Sequence, residues 1–166
     1  LLVDSPARLL MHGHHLSSQM TPPPLFEQHI LPYYEELSPR LKANQKVLAL
    51  HADNDTRLIL DHIRRAGFGL VECFATAPMV ETTLAEARAA WGREVIVFGG
   101  VPSVILEEPY TDEQFEQYTD ELFRTVAPGD AFILGIADNA MPDSKIERIE
   151  RVTEMVEERG AYPVYR

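Results

Sequence analysis

A chain of 166 residues with 45% hydrophobic content can bury one substantial core, and no stretch of it is low in complexity, so it reads as a single domain. Its net charge of -11, from 26 acidic and 15 basic residues, would repel a phosphate backbone or an anionic membrane surface, which argues against nucleic acid or a membrane as partner. The single cysteine, Cys73, excludes an internal disulfide, and no apolar run approaches the roughly 18 residues of a membrane span, so a reduced, cytoplasmic setting is expected.

The opening Leu1-Leu-Val has no Met and no signal segment, and reads as a cut end. Residues 7–12 read as a short buried strand, followed by a polar loop in which His12, His14 and His15 could line a pocket, although neighbouring loop histidines are more often solvated. Pro22-Pro-Pro24 suits the first turn of a helix over residues 25–45, which Pro32 and Pro39 should kink or split. Residues 47–51 are an apolar strand that breaks into His51-Ala-Asp53-Asn-Asp55, the stretch around which the rest is organised.

A helix over residues 55–65 follows, with Gly67 placed as its C-cap glycine. Residues 70–74 form a third strand. A capping box at Thr83 and Glu86 opens a helix that ends at Trp91-Gly92, and residues 94–98 are a fourth strand closed by Gly99-Gly100. The same box recurs at Thr111 and Gln114 and at Ser144 and Glu147, before and after a fifth strand at residues 131–135. The last helix stops at Gly160, and its Glu run interleaved with Arg148, Arg151 and Arg159 reads as a solvated face.

Strands alternating with helices, without polar alternation inside the strands, imply an α/β fold with a parallel sheet. A flavodoxin-like open sheet and a stretch of a (β/α)8 barrel both satisfy the pattern. Either fold puts its ligand at the C-terminal ends of the strands, where His12, His51 with Asp53, Glu72 with Cys73, Gly99-Gly100 and Asp138-Asn139 collect. His51 and Asp53 are two residues apart and so share one side of the pleat, where a metal or a substrate could be held. The plainer reading makes Asn54, Asp55 and Thr56 caps of the following helix, a use that leaves His51 unexplained.

Several stretches together resemble the uroporphyrinogen decarboxylase superfamily: Leu50-His51-Ala-Asp53-Asn-Asp55, Val97-Phe-Gly99-Gly-Val-Pro102, Ile133-Leu-Gly-Ile-Ala-Asp138-Asn-Ala-Met-Pro142 and Gly160-Ala-Tyr-Pro163. The resemblance covers essentially the whole chain and implies a TIM barrel, of which residues 1–166 would be the last five βα units. It also implies one of two activities. The decarboxylases of porphyrin biosynthesis are cofactor-free and use an Arg and Asp set together with a Gly-His-Gly turn, where this chain has Gly135-Ile-Ala-Asp138. The corrinoid-dependent methyltransferases bind zinc through His-x-Cys and a later Cys; this chain matches the His at His51 and has Asp53 and Asp138 at the two thiolate positions.

Carboxylates can replace thiolates as zinc ligands, so the resemblance implies a site of His51, Asp53 and Asp138, with Glu72 as a fourth ligand or general base. An ion with fewer thiolates is a stronger Lewis acid, which suits an ether or alcohol substrate. Cys73 should point away from Glu72 if its strand is regular. Gly99 and Gly100 either permit a tight turn or let a substrate or corrinoid cofactor approach the backbone. The expected activity is methyl transfer between a small methylated substrate and a corrinoid protein. The alternatives are tetrapyrrole decarboxylation and a non-catalytic α/β binding module. With the earlier barrel units absent, the interior residues, taken as Leu10, Leu48, Leu50, Val71, Ile96 and Phe132, would lose partners, and both sheet edges would invite self-association into a homo-oligomer.

Overall fold

The computed structural model describes residues 3–12 and 15–164. Five strands form one parallel sheet in the order of the sequence: β1 (Leu9–Met11), β2 (Val47–His51), β3 (Leu70–Phe74), β4 (Ile96–Pro102) and β5 (Phe132–Ala137). That order decides between the two α/β architectures. A flavodoxin-type sheet reverses direction at a switch point. Strands always added on the same side, by crossovers of one hand, keep their helices on one face, as in an arc of a barrel.

The crossovers are α1 (Pro23–Leu25), a π-helical turn (Phe26–Ile30) and α2 (Leu31–Ala43), then a 3-10 turn (Arg57–Ile59) with α3 (Leu60–Arg65). Next come α4 (Leu84–Trp91), a 3-10 turn (Ser103–Leu106) with α5 (Asp112–Val126), and α6 (Ile146–Arg159) after β5. Pro32 marks the junction between π turn and α2, whereas Pro39 stays inside α2 without splitting it. Gly67, at φ +82°, follows α3 as its C-cap signal implies, with the side chain of Ser38 filling the space a Cβ would need. Among the described residues no helix is long and apolar enough to cross a membrane.

The registers Leu9↔Val47, Met11↔Ala49, His51↔Glu72, Leu70↔Ile96 and Phe98↔Ile133 align two sets of alternating side chains. Leu10, Leu48, Leu50, Val71 and Phe132 pack in one core with Tyr34, Leu41, Ile63, Trp91 and Leu122 from the helices. On the opposite, concave face Leu9, Met11, Val47 and Ile133 are exposed. The expected interior set is thus corrected: of its six members only Ile96 lies on the concave face, by its register with Leu70. Strands of a parallel sheet are apolar on both sides, so their sequence carries no sign of which side is which.

Gly99 and Gly100 do not close β4. Both lie within it, paired with Leu134 and Gly135, at φ +146° and +91°. A Cβ on Gly99 would sit 2.7 Å from the Phe74 nitrogen, and one on Gly100 2.9 Å from the Phe132 ring, so close packing inside the sheet accounts for both glycines.

Thr83 with Glu86 and Thr111 with Gln114 form the expected reciprocal capping boxes. Ser144 and Glu147 do not. The amide of Lys145 is taken by the Leu106 carbonyl at 2.9 Å, so α6 begins one residue too late for the box, and the buried Ser144 Oγ has no hydrogen-bond partner. Arg148 is likewise not on a solvated face: it is 4% exposed and donates to the carbonyls of Ile105, Glu107 and Tyr110 and to the Asp112 carboxylate.

Candidate functional site

His51 ends β2 and lies in register with Glu72 of β3. Because an ionised carboxylate only accepts, His51 Nδ1 donates to Glu72 Oε2, at 2.6 Å. That bond turns Nε2 towards Asp53, whose Oδ2 is 3.6 Å away. The same Asp53 oxygen is approached by His15 Nδ1, at 3.9 Å. A row of four groups, His15, Asp53, His51 and Glu72, therefore crosses the tips of the strands.

Of Asn54, Asp55 and Thr56, Asp55 caps the turn that follows, its carboxylate accepting from the backbone of Arg57 at the start of that turn. Thr56 makes no side-chain cap. The buried Asp55 carboxylate also accepts the Thr82 amide at 2.9 Å and the Thr82 hydroxyl at 2.7 Å, while the Thr56 amide donates to Thr82 Oγ1 at 3.0 Å. Burial pushes the Asp55 carboxyl up, but hydrogen bonds from Thr82, Ser18 and the backbone of Arg57 outweigh it and hold the group below its ordinary value. Asp55 thereby fastens the turn that carries Asp53 to the segment after β3.

Cys73 departs furthest from expectation. In a regular strand its thiol would face away from Glu72. Here φ at Cys73 is +58°, and the β3–β4 register shifts between Val71 and Phe74, so the strand bulges and the side chain changes sides. The bulge is possible because Gly99 lets the backbone of Phe74 come close. Across the site the Asp138 amide, just past the end of β5 and itself at φ +64°, donates to Cys73 Sγ at 2.9 Å. Burial pushes the Cys73 thiol up to about 11, with the carboxylates of Glu72, Asp138 and Asp53 acting in the same direction against the Asp138 amide.

Donor atoms of His51, Glu72 and Cys73 lie within 4.8 Å of one another, the group of three metal-ligating side chains found among the described residues. Of the residues singled out from the sequence, the structure unites His51 with Glu72 and places Asp53 beside the imidazole. Asp138 arrives through its backbone, and its carboxylate accepts from the Asn139 side-chain Nδ2 at 3.0 Å. His12 faces the helices, with Nδ1 2.9 Å from the Tyr34 hydroxyl and its ring stacked on Tyr33. Burial pushes that hydroxyl up to about 12, so it stays protonated. His14 lies outside the described residues.

A parallel sheet wound in sequence order, with its polar groups gathered at the C-terminal strand tips, defines an arc of a (β/α)8 barrel seen at its active-site end. The chain matches the uroporphyrinogen decarboxylase (URO-D) family over residues 2–159 and belongs to that family. Among solved structures it is similar to a methyltransferase from Methanosarcina mazei, at a TM-score of 0.65 and 16% identity, over 95% of this chain and 44% of that one. The chain thus spans less than half the length of that structure, and the likeness is one of fold. No curated protein matches.

Proposed function

We propose that this chain supplies the metal-binding end of a methyltransferase barrel, which moves a methyl group between a small methylated substrate or cofactor and a corrinoid protein. The observation that carries the reading is His51 held between two carboxylates, Glu72 at 2.6 Å and Asp53 at 3.6 Å. Two ligands of one tetrahedral zinc stand about 3.3 Å apart, given metal–ligand lengths of about 2.0–2.1 Å. The Nε2 and Oδ2 separation is close to that spacing. His51 and Asp53 would hold the ion, with Asp138 reaching from beyond β5 as the third group that the resemblance implies. Zinc bound there would act as a Lewis acid, lowering the pKa of a coordinated hydroxyl or thiol acceptor.

The chain's own groups have separable tasks. Glu72 fixes the tautomer and ring direction of His51 by accepting from its Nδ1, as hydrogen-bonded carboxylates do for metal-bound imidazoles. The Asp53 carboxylate, partly open to solvent, is the oxygen ligand beside the His51 nitrogen. Asp55 keeps that carboxylate in position through Thr82. A mouth lined by Asp53, Glu72 and Asp138 repels anions, which disfavours a tetrapyrrole carboxylate and suits a neutral or cationic methyl donor. Calorimetric titration of the full-length protein with zinc tests the reading: His51→Ala should abolish binding, and equal affinity in the variant and the wild type would refute it.

A further inference from the structure

We infer that Cys73 supplies a thiolate ligand to this metal centre, from the bulged strand β3, in a set with His51 and Glu72. The inference rests on the metal-dependent reading above and changes its ligand set. Thiolates expected by resemblance at positions 53 and 138 are carboxylates in this chain. The thiol lost from both places is present at a third, on the neighbouring strand, and is turned into the same mouth.

Two backbone departures bring it there. Cys73 sits at φ +58°, and Asp138, whose amide reaches its sulfur at 2.9 Å, sits at φ +64°. Neither is a glycine, and a side chain in the left-handed region is held there only by its surroundings. The packing requirement at Gly99 is a separate observation with the same outcome, since any Cβ there would strike the Phe74 backbone and undo the bulge. In a regular strand this cysteine would be one more apolar group under the helices. Instead its Sγ is gathered with a nitrogen donor and an oxygen donor inside 4.8 Å.

The three donors differ in kind, and a nitrogen, oxygen and sulfur set selects borderline ions such as zinc or cobalt over magnesium or calcium. The His51 Nδ1 to Glu72 contact of 2.6 Å is a hydrogen bond, shorter than the about 3.3 Å between two zinc ligands, so an entering ion would take Nδ1, the imidazole would carry its one proton at Nε2 facing Asp53 3.6 Å away, and His51 and Glu72 would part by less than about 1 Å. The thiol proton leaves to solvent as the sulfur–metal bond forms. The Asp138 amide remains on the sulfur, taking up part of its negative charge, in the manner of outer-shell donors to metal-bound thiolates. Asp138 then contributes through its backbone, and Asp53 becomes the proton acceptor and not a ligand.

Cobalt(II) titration of the metal-free full-length protein tests the assignment by spectrum and not by turnover. A thiolate-to-cobalt charge-transfer band in the near ultraviolet should rise and saturate at equimolar cobalt. Cys73→Ser should lose that band while keeping the weaker visible bands, and its zinc affinity should drop by more than about tenfold, the least that changes to outer-shell partners alone cost. Asp138→Asn and Asp53→Asn should both keep the band. Serine differs by one atom and still accepts from the Asp138 amide, so the fold is not at stake. Equimolar cobalt without the band, or a band that survives Cys73→Ser, overturns the Cys73 assignment and leaves the metal-dependent reading standing. Failure of the wild type to bind cobalt overturns both.

Discussion

Replacing Arg148 should destabilise the protein strongly, although it stands in a helix whose other charged residues are far more exposed. Its guanidinium is 4% exposed and spans the loop after β4, donating to the carbonyls of Ile105 at 2.8 Å, Glu107 at 2.7 Å and Tyr110, and to Asp112 Oδ1 at 2.7 Å. Asp112 is largely exposed, so solvent screens that ion pair and it adds little. The carbonyls matter more, because hydrogen bonds to a charged group are worth about 1.5–3 kcal/mol each and lost partners must be resolvated. Arg148→Met keeps an apolar stem but removes every donor and the guanidinium that lies over the Phe115 ring, so the expected loss is about 3–5 kcal/mol, as for breaking a buried charged network. Against total stabilities of about 5–15 kcal/mol this is a large fraction. Arg148→Lys should recover less than half, since one ammonium cannot reach the whole fan of acceptors. Urea unfolding of the full-length protein measures both. A loss below about 1 kcal/mol for methionine, or full recovery by lysine, would show that the guanidinium is not what holds the loop.

Asp55 gives a pH signature: its folded pKa is depressed, so its contribution to stability is present above the ordinary carboxylate value of 3.8 and is lost as pH falls below it, through the lower folded value. Acid titration of unfolding should show that step in the wild type and not in Asp55→Asn, and identical curves would contradict it. Glu72→Gln keeps the shape of the site but removes the charge that orients His51, and should weaken zinc binding by about 10–100-fold in a direct titration, whether Glu72 acts as ligand or as orienting partner. Residues 1–166 alone expose Leu9, Met11, Val47 and Ile133 on the concave face and leave an edge at β1 and at β5, so they should self-associate in sedimentation experiments. A cooperative monomer would contradict that expectation.

The legible part of the fold was the part written locally. Hydrophobic runs marked the strands, and two capping boxes with Gly67 marked helix ends, since those signals act within a turn of chain. Which face of each strand meets the helices was not legible, because a parallel sheet is apolar on both. Arg148 was hidden in an alternation of Glu and Arg that elsewhere on α6 does mark solvent, and its burial depends on carbonyls some 40 residues earlier in the chain. At the site, His51 and Asp53 stood out as an acidic, His-bearing turn at a strand tip. Cys73 did not, because no rule of sequence announces a positive φ at cysteine. The trace it left is Gly99, which read as a turn and is a strand glycine facing the bulge.

Metal dependence of methyl transfer is the property on which the functional reading depends. The full-length protein, stripped of metal by a chelator and shown to be metal-free, should lose transfer to or from methylcobalamin and regain it on addition of zinc. Undiminished turnover by the metal-free protein would contradict the reading outright.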